Sequence, residues 1–141
     1  MIVVDASVGV KWLVAEVSSD IADDFLAKNR GELVAPAFFA IEVASALVRK
    51  ANEEKASRKG SEAGLTSLGE ILGTAIVATR QTSLAQLSDA AQLALDLGHP
   101  LKDCIYLALA MELGCDLVTA DARFAAKARG VWAGVRVLGG E

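Results

Sequence analysis

Four acidic residues stand where acids are costly. Asp5 follows Ile2, Val3 and Val4 directly, a β-branched run that suits a strand buried on both faces. Asp121 follows the run LVTA, Glu42 is embedded in FFAIEVASAL, and Asp103 opens KDCIYLALAMELG just after Pro100. A carboxylate in such surroundings has to be hydrogen-bonded, paired or bound to a cation. Each also has a plainer use. Asp5 and Asp121 can cap the helices that follow them, and Glu42 can turn to solvent at the rim of its helix. Asp103 can serve as a first-turn helix acid, favoured there by a few tenths to about 1 kcal/mol. What marks the set is placement: all four fall at strand ends or on helices that can start from the same sheet edge.

Converging carboxylates repel and raise one another's pKa values. No lysine or arginine is repeated beside all four, so the remedy is a divalent ion. Oxygen-only donors suit Mg²⁺ or Mn²⁺. Such an ion polarises a phosphodiester and acidifies a bound water, and two ions about 3.5–4 Å apart stabilise both the attacking and the leaving oxygen. The sequence offers no Ser-His-Asp or Cys-His set, and no Gly-x-Gly-x-x-Gly or Walker-type loop. Direct attack by water is what remains. The lone histidine, His99 beside Pro100, reads as a loop residue rather than a ligand. Cys104 and Cys115 lie in apolar helical context and read as reduced core thiols, neither a disulfide framework nor a zinc site.

The elements that must position these acids follow from pattern. Ile2–Val4 reads as a strand and Ser7 to about Ala15 as a short helix. A second helix begins near Ser19 or Asp20 and ends before Gly31. Leu33–Ala35 is a second strand, and Pro36 opens a helix reaching about Asn52, with Phe39, Val43 and Leu47 at four-residue spacing. NEEKASRKGS marks a turn or exposed helix end, and a helix follows from about Ser61 to Leu72. Ala75–Thr79 is either an irregular link or a small strand. SLAQ at Ser83–Gln86 matches a capping box, opening a helix to Leu97 that stops at Gly98. KDCIYLALAMELG forms a helix closed by Gly114, DLVT a third strand, ARFAAKARG a short helix, and Val135–Leu138 a last strand. Short β-rich runs alternating with helices predict one α/β domain, a parallel sheet of about four to five strands with helices on both faces.

Composition agrees. The 141 residues are 53% hydrophobic with two prolines, which fits one well-buried core and excludes a disordered chain. No apolar run approaches the roughly 18–20 residues of a membrane span, and the start lacks a basic n-region, so a cytoplasmic protein is expected. A net charge of −4 argues against binding nucleic acid through a broadly basic surface. The distribution is uneven: Arg49, Lys50, Lys55, Arg58 and Lys59 cluster, opposed only by Glu53 and Glu54. This cluster is either a solvated helix end or the place where an anionic partner lands.

Taken in order, MIVVDASVGVKWLVAE, APAFFAIEVASAL, KDCIYLALAMELG and LVTADARF resemble the PIN-domain ribonucleases, particularly the VapC-type toxins of toxin–antitoxin pairs. The likeness covers nearly the whole of residues 1–141 and is weakest between about Asn52 and Thr82. It implies an acidic pocket that binds Mg²⁺ or Mn²⁺ and cleaves RNA, leaving a 5′-phosphate and a 3′-hydroxyl. Carried over by motif, the four acids are Asp5 in VVDAS, Glu42 in AIEVASAL, Asp103 in KDCIYLALA and Asp121 in TADARF. Asp5 and Asp103 are then the main metal ligands, with Glu42 and Asp121 completing the site directly or through water. Ser7 and Thr119 become supporting hydroxyls. Lys102 stands where many relatives have tyrosine or serine, which bears on substrate contacts more than on the metal. The resemblance further implies a central first strand, a homodimer and a small antitoxin whose tail fills the RNA groove. The cluster that begins at Arg49 would guide the RNA backbone or receive an acidic antitoxin segment.

Other readings fit less well. Phosphoryl-transfer enzymes with an aspartate nucleophile carry a second aspartate two residues on, where this chain has Ser7. Receiver-like modules need paired acids after the first strand and a lysine after the fifth; VVDAS offers one acid, and no lysine follows the last strand. A degenerate PIN scaffold that binds RNA or protein without cutting stays open, although all four acids are present.

Overall fold

The computed structural model describes residues 1–140. β1 (Ile2–Val4) leads through α1 (Ala6–Leu13) and α2 (Ser19–Lys28) to β2 (Leu33–Pro36). α3 (Phe39–Glu53), a 3₁₀ turn (Lys55–Ser57) and α4 (Arg58–Gly73) lead on to β3 (Val77–Arg80). α5 (Leu84–Leu97) and α6 (Leu101–Leu113) precede β4 (Asp116–Thr119), and α7 (Ala122–Ala128) precedes β5 (Val135–Val137). The strands form one parallel sheet in the order β3-β2-β1-β4-β5, so the first strand is central as expected. The chain winds outward from β1 to β2 and β3, then returns to β4 on the other side. With right-handed crossovers this puts helices on both faces and opens a crevice between the carboxyl ends of β1 and β4.

Val3 and Val4 are fully buried, as two-sided burial of a central parallel strand requires. Around the sheet pack Phe39 and Leu47 from α3, Tyr106 and Leu107 from α6, and Phe124 from α7. Cys104 belongs to this core, and Cys115 is half-buried beside it; both are free thiols. Gly9 on α1 allows a close approach, since a Cβ there would lie 2.7 Å from Phe39 Cζ and 3.2 Å from Val43 Cγ2 on α3. No helix among the described residues is long and apolar enough to cross a membrane.

Pro36 departs from expectation. It closes β2 in register with Arg80 instead of opening a helix, and α3 starts three residues later. Pro36 brings no N–H, and the next amide, that of Ala37, donates to the Arg80 carbonyl at 2.7 Å. The ambiguous stretch after Ala75 resolves as β3, an edge strand in which only Val77 is buried. Ser83 caps α5 as predicted, its hydroxyl accepting from the Gln86 N–H at 3.1 Å. The reciprocal half of the capping box is absent, because the Gln86 amide donates instead to Glu112. Gly98 and Gly114 end α5 and α6 in the left-handed region (φ 61° and 64°), which glycine occupies without strain.

Candidate active site at the carboxyl edge of the sheet

Asp5 is the first residue beyond β1 and is 4% exposed. Its backbone N–H still belongs to the sheet, donating to Val118 at 3.0 Å. It occupies the cap position of α1, yet its side chain makes no capping bond. The carboxylate instead accepts from Ser7 Oγ at 2.6 Å and from Thr119 Oγ1 at 2.8 Å, both on Oδ2. These hydroxyls are themselves held by the end of β4: Ser7 accepts from the Ala120 N–H and Thr119 from the Asp121 N–H. Burial lifts the Asp5 carboxyl from 3.8 to about 6, against the pull of both hydroxyls, and the charges of Asp103 and Glu42 push the same way. No ion pair reaches Asp5 among the described residues.

Glu42 lies one turn into α3 with a side chain 18% exposed. The phenol of Tyr106, buried in α6, donates to its Oε1 at 2.8 Å. Burial, reinforced by the charges of Glu42 and Asp5, pushes that phenol far above its ordinary value, so it stays a donor. Lys102 Nζ, largely exposed, approaches Glu42 Oε2 at 3.7 Å. Lys102 therefore balances charge at the rim.

Asp103 sits in the first turn of α6, where its Oδ2 lies 2.6 Å from His99 Nε2. Asp121 performs the plainer role foreseen for it. Its Oδ1 accepts from the N–H groups of Arg123 and Phe124, each at 3.0 Å, capping α7. That leaves its second oxygen for other work. Ligand atoms of His99, Asp103 and Asp121 lie within 4.8 Å of one another.

Asp5, Glu42, Asp103 and Asp121 all line one cavity of about 590 Å³, together with Ser7, Arg49 and Lys102. The structure thus brings the four acids to one cavity with Ser7 and Arg49, while Thr119, also expected at the site, lies behind it, bonded to the Asp5 carboxylate. Two participants were missed. Tyr106 stands three residues after Asp103, a spacing that puts both on one helix face. His99 stands four residues before Asp103. It lies in the loop as predicted, but its ring is turned inward against Asp103.

The donor set fits a divalent cation. A buried carboxylate without a cationic partner lies in one cavity with three more acids. Two of these, Asp103 and Asp121, have donor atoms clustered with that of His99 behind them. The basic residues at the cavity are occupied or peripheral: Lys11 donates to the Val17 carbonyl at 2.7 Å, and Lys102 faces Glu42. Cys104 is no nucleophile, since burial pushes its thiol up to about 11.

Comparison with known proteins agrees with this geometry. No curated protein sequence matches the chain. In structure, it resembles PAE2754 from Pyrobaculum aerophilum at 19% identity and TM-score 0.72, covering 98% of this chain and 89% of that one. It also resembles VapC20 of Mycobacterium tuberculosis, a sarcin-ricin loop cleaving toxin, at 15% identity and TM-score 0.72, covering 89% of this chain and 94% of that one. At these identities the likeness is one of fold. The PIN domain family, however, matches residues 2–130 of the sequence itself. The chain belongs to the PIN-domain family.

Proposed function

We propose that the protein is a Mg²⁺- or Mn²⁺-dependent endoribonuclease that hydrolyses RNA phosphodiesters by direct attack of water. Its setting would be the cytoplasm, as a homodimeric toxin of a VapBC-type pair held in check by a small antitoxin. One observation carries the catalytic part: a carboxylate with no cationic partner, Asp5, buried at the floor of a cavity walled by Glu42, Asp103 and Asp121. Family membership supports nuclease chemistry, and the fold shared with VapC20 supports the toxin setting and a structured RNA as substrate.

Asp5 and Asp103 would hold the ion, Asp5 with its orientation fixed by Ser7 and Thr119. A bound divalent ion supplies Lewis acidity toward the phosphate and a water of lowered pKa. Glu42, kept an acceptor by the Tyr106 phenol, and Asp121, steadied by its capping bonds, complete the acidic wall directly or through water. Arg49 and Lys102 at the mouth would meet the RNA backbone, whose phosphates supply much of the affinity.

The test is cleavage of an end-labelled structured RNA by the purified chain. Cutting is expected with Mg²⁺ or Mn²⁺, to leave 5′-phosphate ends, and to stop in chelator and in Asp5→Asn. Equal cleavage by both proteins, or cleavage without metal, would assign the activity elsewhere. RNA binding without any cutting would favour the non-cleaving scaffold. For the toxin setting, a neighbouring reading frame encoding a small DNA-binding protein with a flexible tail is expected.

A further inference from the structure

We propose that His99 is itself a cation ligand. It would join Asp103 and Asp121 in a mixed nitrogen and oxygen set that selects a first-row transition ion such as Mn²⁺ over Mg²⁺. The inference rests on the reading above that the cavity holds a divalent ion, and it names which ion this chain prefers.

The imidazole is held in place from several sides. Although it sits in the connection between α5 and α6, its side chain is 9% exposed. It stacks on Phe124, with ring centroids 4.8 Å apart and planes inclined by 27°. The loop beneath it is tied down: the His99 N–H donates to the Ala94 carbonyl at 3.0 Å, and Lys127 Nζ donates to the Gly98 carbonyl at 3.1 Å. α7 therefore supplies the stacking ring, the lysine tether and, at its cap, Asp121. Nothing in this arrangement leaves the ring free to swing into water, and its Nε2 is directed at Asp103.

Distance favours ligation. A transition ion with bonds of about 2.0–2.2 Å spans donor pairs up to about 4.4 Å apart. Ligand atoms of His99, Asp103 and Asp121 already lie within 4.8 Å of one another. To admit the ion the His99–Asp103 pair, hydrogen-bonded at 2.6 Å, opens slightly while Asp121 closes, a side-chain adjustment. Asp121 is already oriented by its two capping bonds, so little freedom is lost on binding. Mg²⁺ keeps oxygen ligands and several waters, whereas an imidazole nitrogen suits transition ions. The same geometry would also let His99 act only on Asp103, donating Nε2–H to orient its carboxylate. Spectroscopy separates the two roles.

The experiment uses the full chain with Mn²⁺ as probe, read by pulsed electron paramagnetic resonance and by displacement of bound Mn²⁺ with Mg²⁺. The wild-type complex is expected to show nitrogen hyperfine modulation from a directly bound imidazole. His99→Gln, whose amide can still donate to Asp103, should lose that modulation. Its preference for Mn²⁺ over Mg²⁺ should fall about tenfold or more. Bound Mn²⁺ without nitrogen modulation, or a preference unchanged in His99→Gln, would overturn the proposal and leave the metal-dependent reading standing. Failure of the wild type to bind Mn²⁺ would overturn both. If His99→Gln does not fold, the wild-type spectrum alone decides.

Discussion

The ends of β1 and β4 lie side by side in the sheet, and each delivers an aspartate to the cap position of the next helix. Asp121 uses its carboxylate as sequence grammar suggests, accepting two amides of α7 while remaining exposed. Asp5 occupies the equivalent place before α1 but leaves those amides alone, turning to two hydroxyls and becoming almost fully buried. One acid stabilises its helix and lends a spare oxygen to the cavity; the other is withheld from capping. A carboxylate denied its easiest local bond, and lifted to about 6 by burial, is poised for a cation. The contrast can be tested by mutation.

The largest effect is expected from Asp5→Asn. Cleavage should drop by about three orders of magnitude, as loss of several kcal/mol of transition-state stabilisation implies. The metal-free variant should nevertheless melt no lower than the native protein, because a buried charge has been removed. Nuclease assays and thermal melts on the same preparation decide this; a clear loss of stability would mean that Asp5 is structural.

The pH dependence follows from the same group. With its carboxyl at 3.8 when freely hydrated and about 6 in the fold, the native state binds more protons between these values. Stability in chelator therefore falls as pH rises from about 4 through about 6, by on the order of a few kcal/mol. The fall should be missing from Asp5→Asn, so the difference between the two melting curves from about pH 4 to about pH 7 isolates it.

Thr119→Val removes the hydroxyl that donates to Asp5 and accepts from the Asp121 amide. A loss of about 1–3 kcal/mol in chemical denaturation is expected, since buried partners are left unsatisfied. At the other strand end, Asp121→Ala should cost about 1 kcal/mol by loss of the cap, whereas Asp121→Asn should cost only a few tenths. Both should weaken cleavage. Equal stabilities for the alanine and asparagine variants would show that the cap contributes nothing.

Much of this contrast was legible in the sequence, because the strand ends announce themselves. IVVD and LVTAD set apolar β-branched runs directly against an acid, and the glycines at 98 and 114 mark helix ends by their left-handed backbone. Pro36 was read wrongly because proline suits a helix start as well as a strand end, and only pairing with β3 decides between them. β3 itself was ambiguous because an edge strand that buries Val77 alone carries no two-sided apolar run. Tyr106 and His99 escaped for a different reason. Each takes its role from a partner brought by folding, Glu42 across 64 positions for the phenol and Phe124 on α7 for the imidazole. Local pattern records neither.

The close contact at Gly9 also governs how this cavity can vary. Phe39 fills the volume that a side chain on α1 would occupy, and Glu42 rides three residues further along the same helix. The seating of α1, which follows Asp5, on α3, which carries Glu42, therefore depends on a bare hydrogen at position 9. A methyl group added at position 9 would have to be met by a smaller residue at position 39 or by a shift of the Phe39 ring.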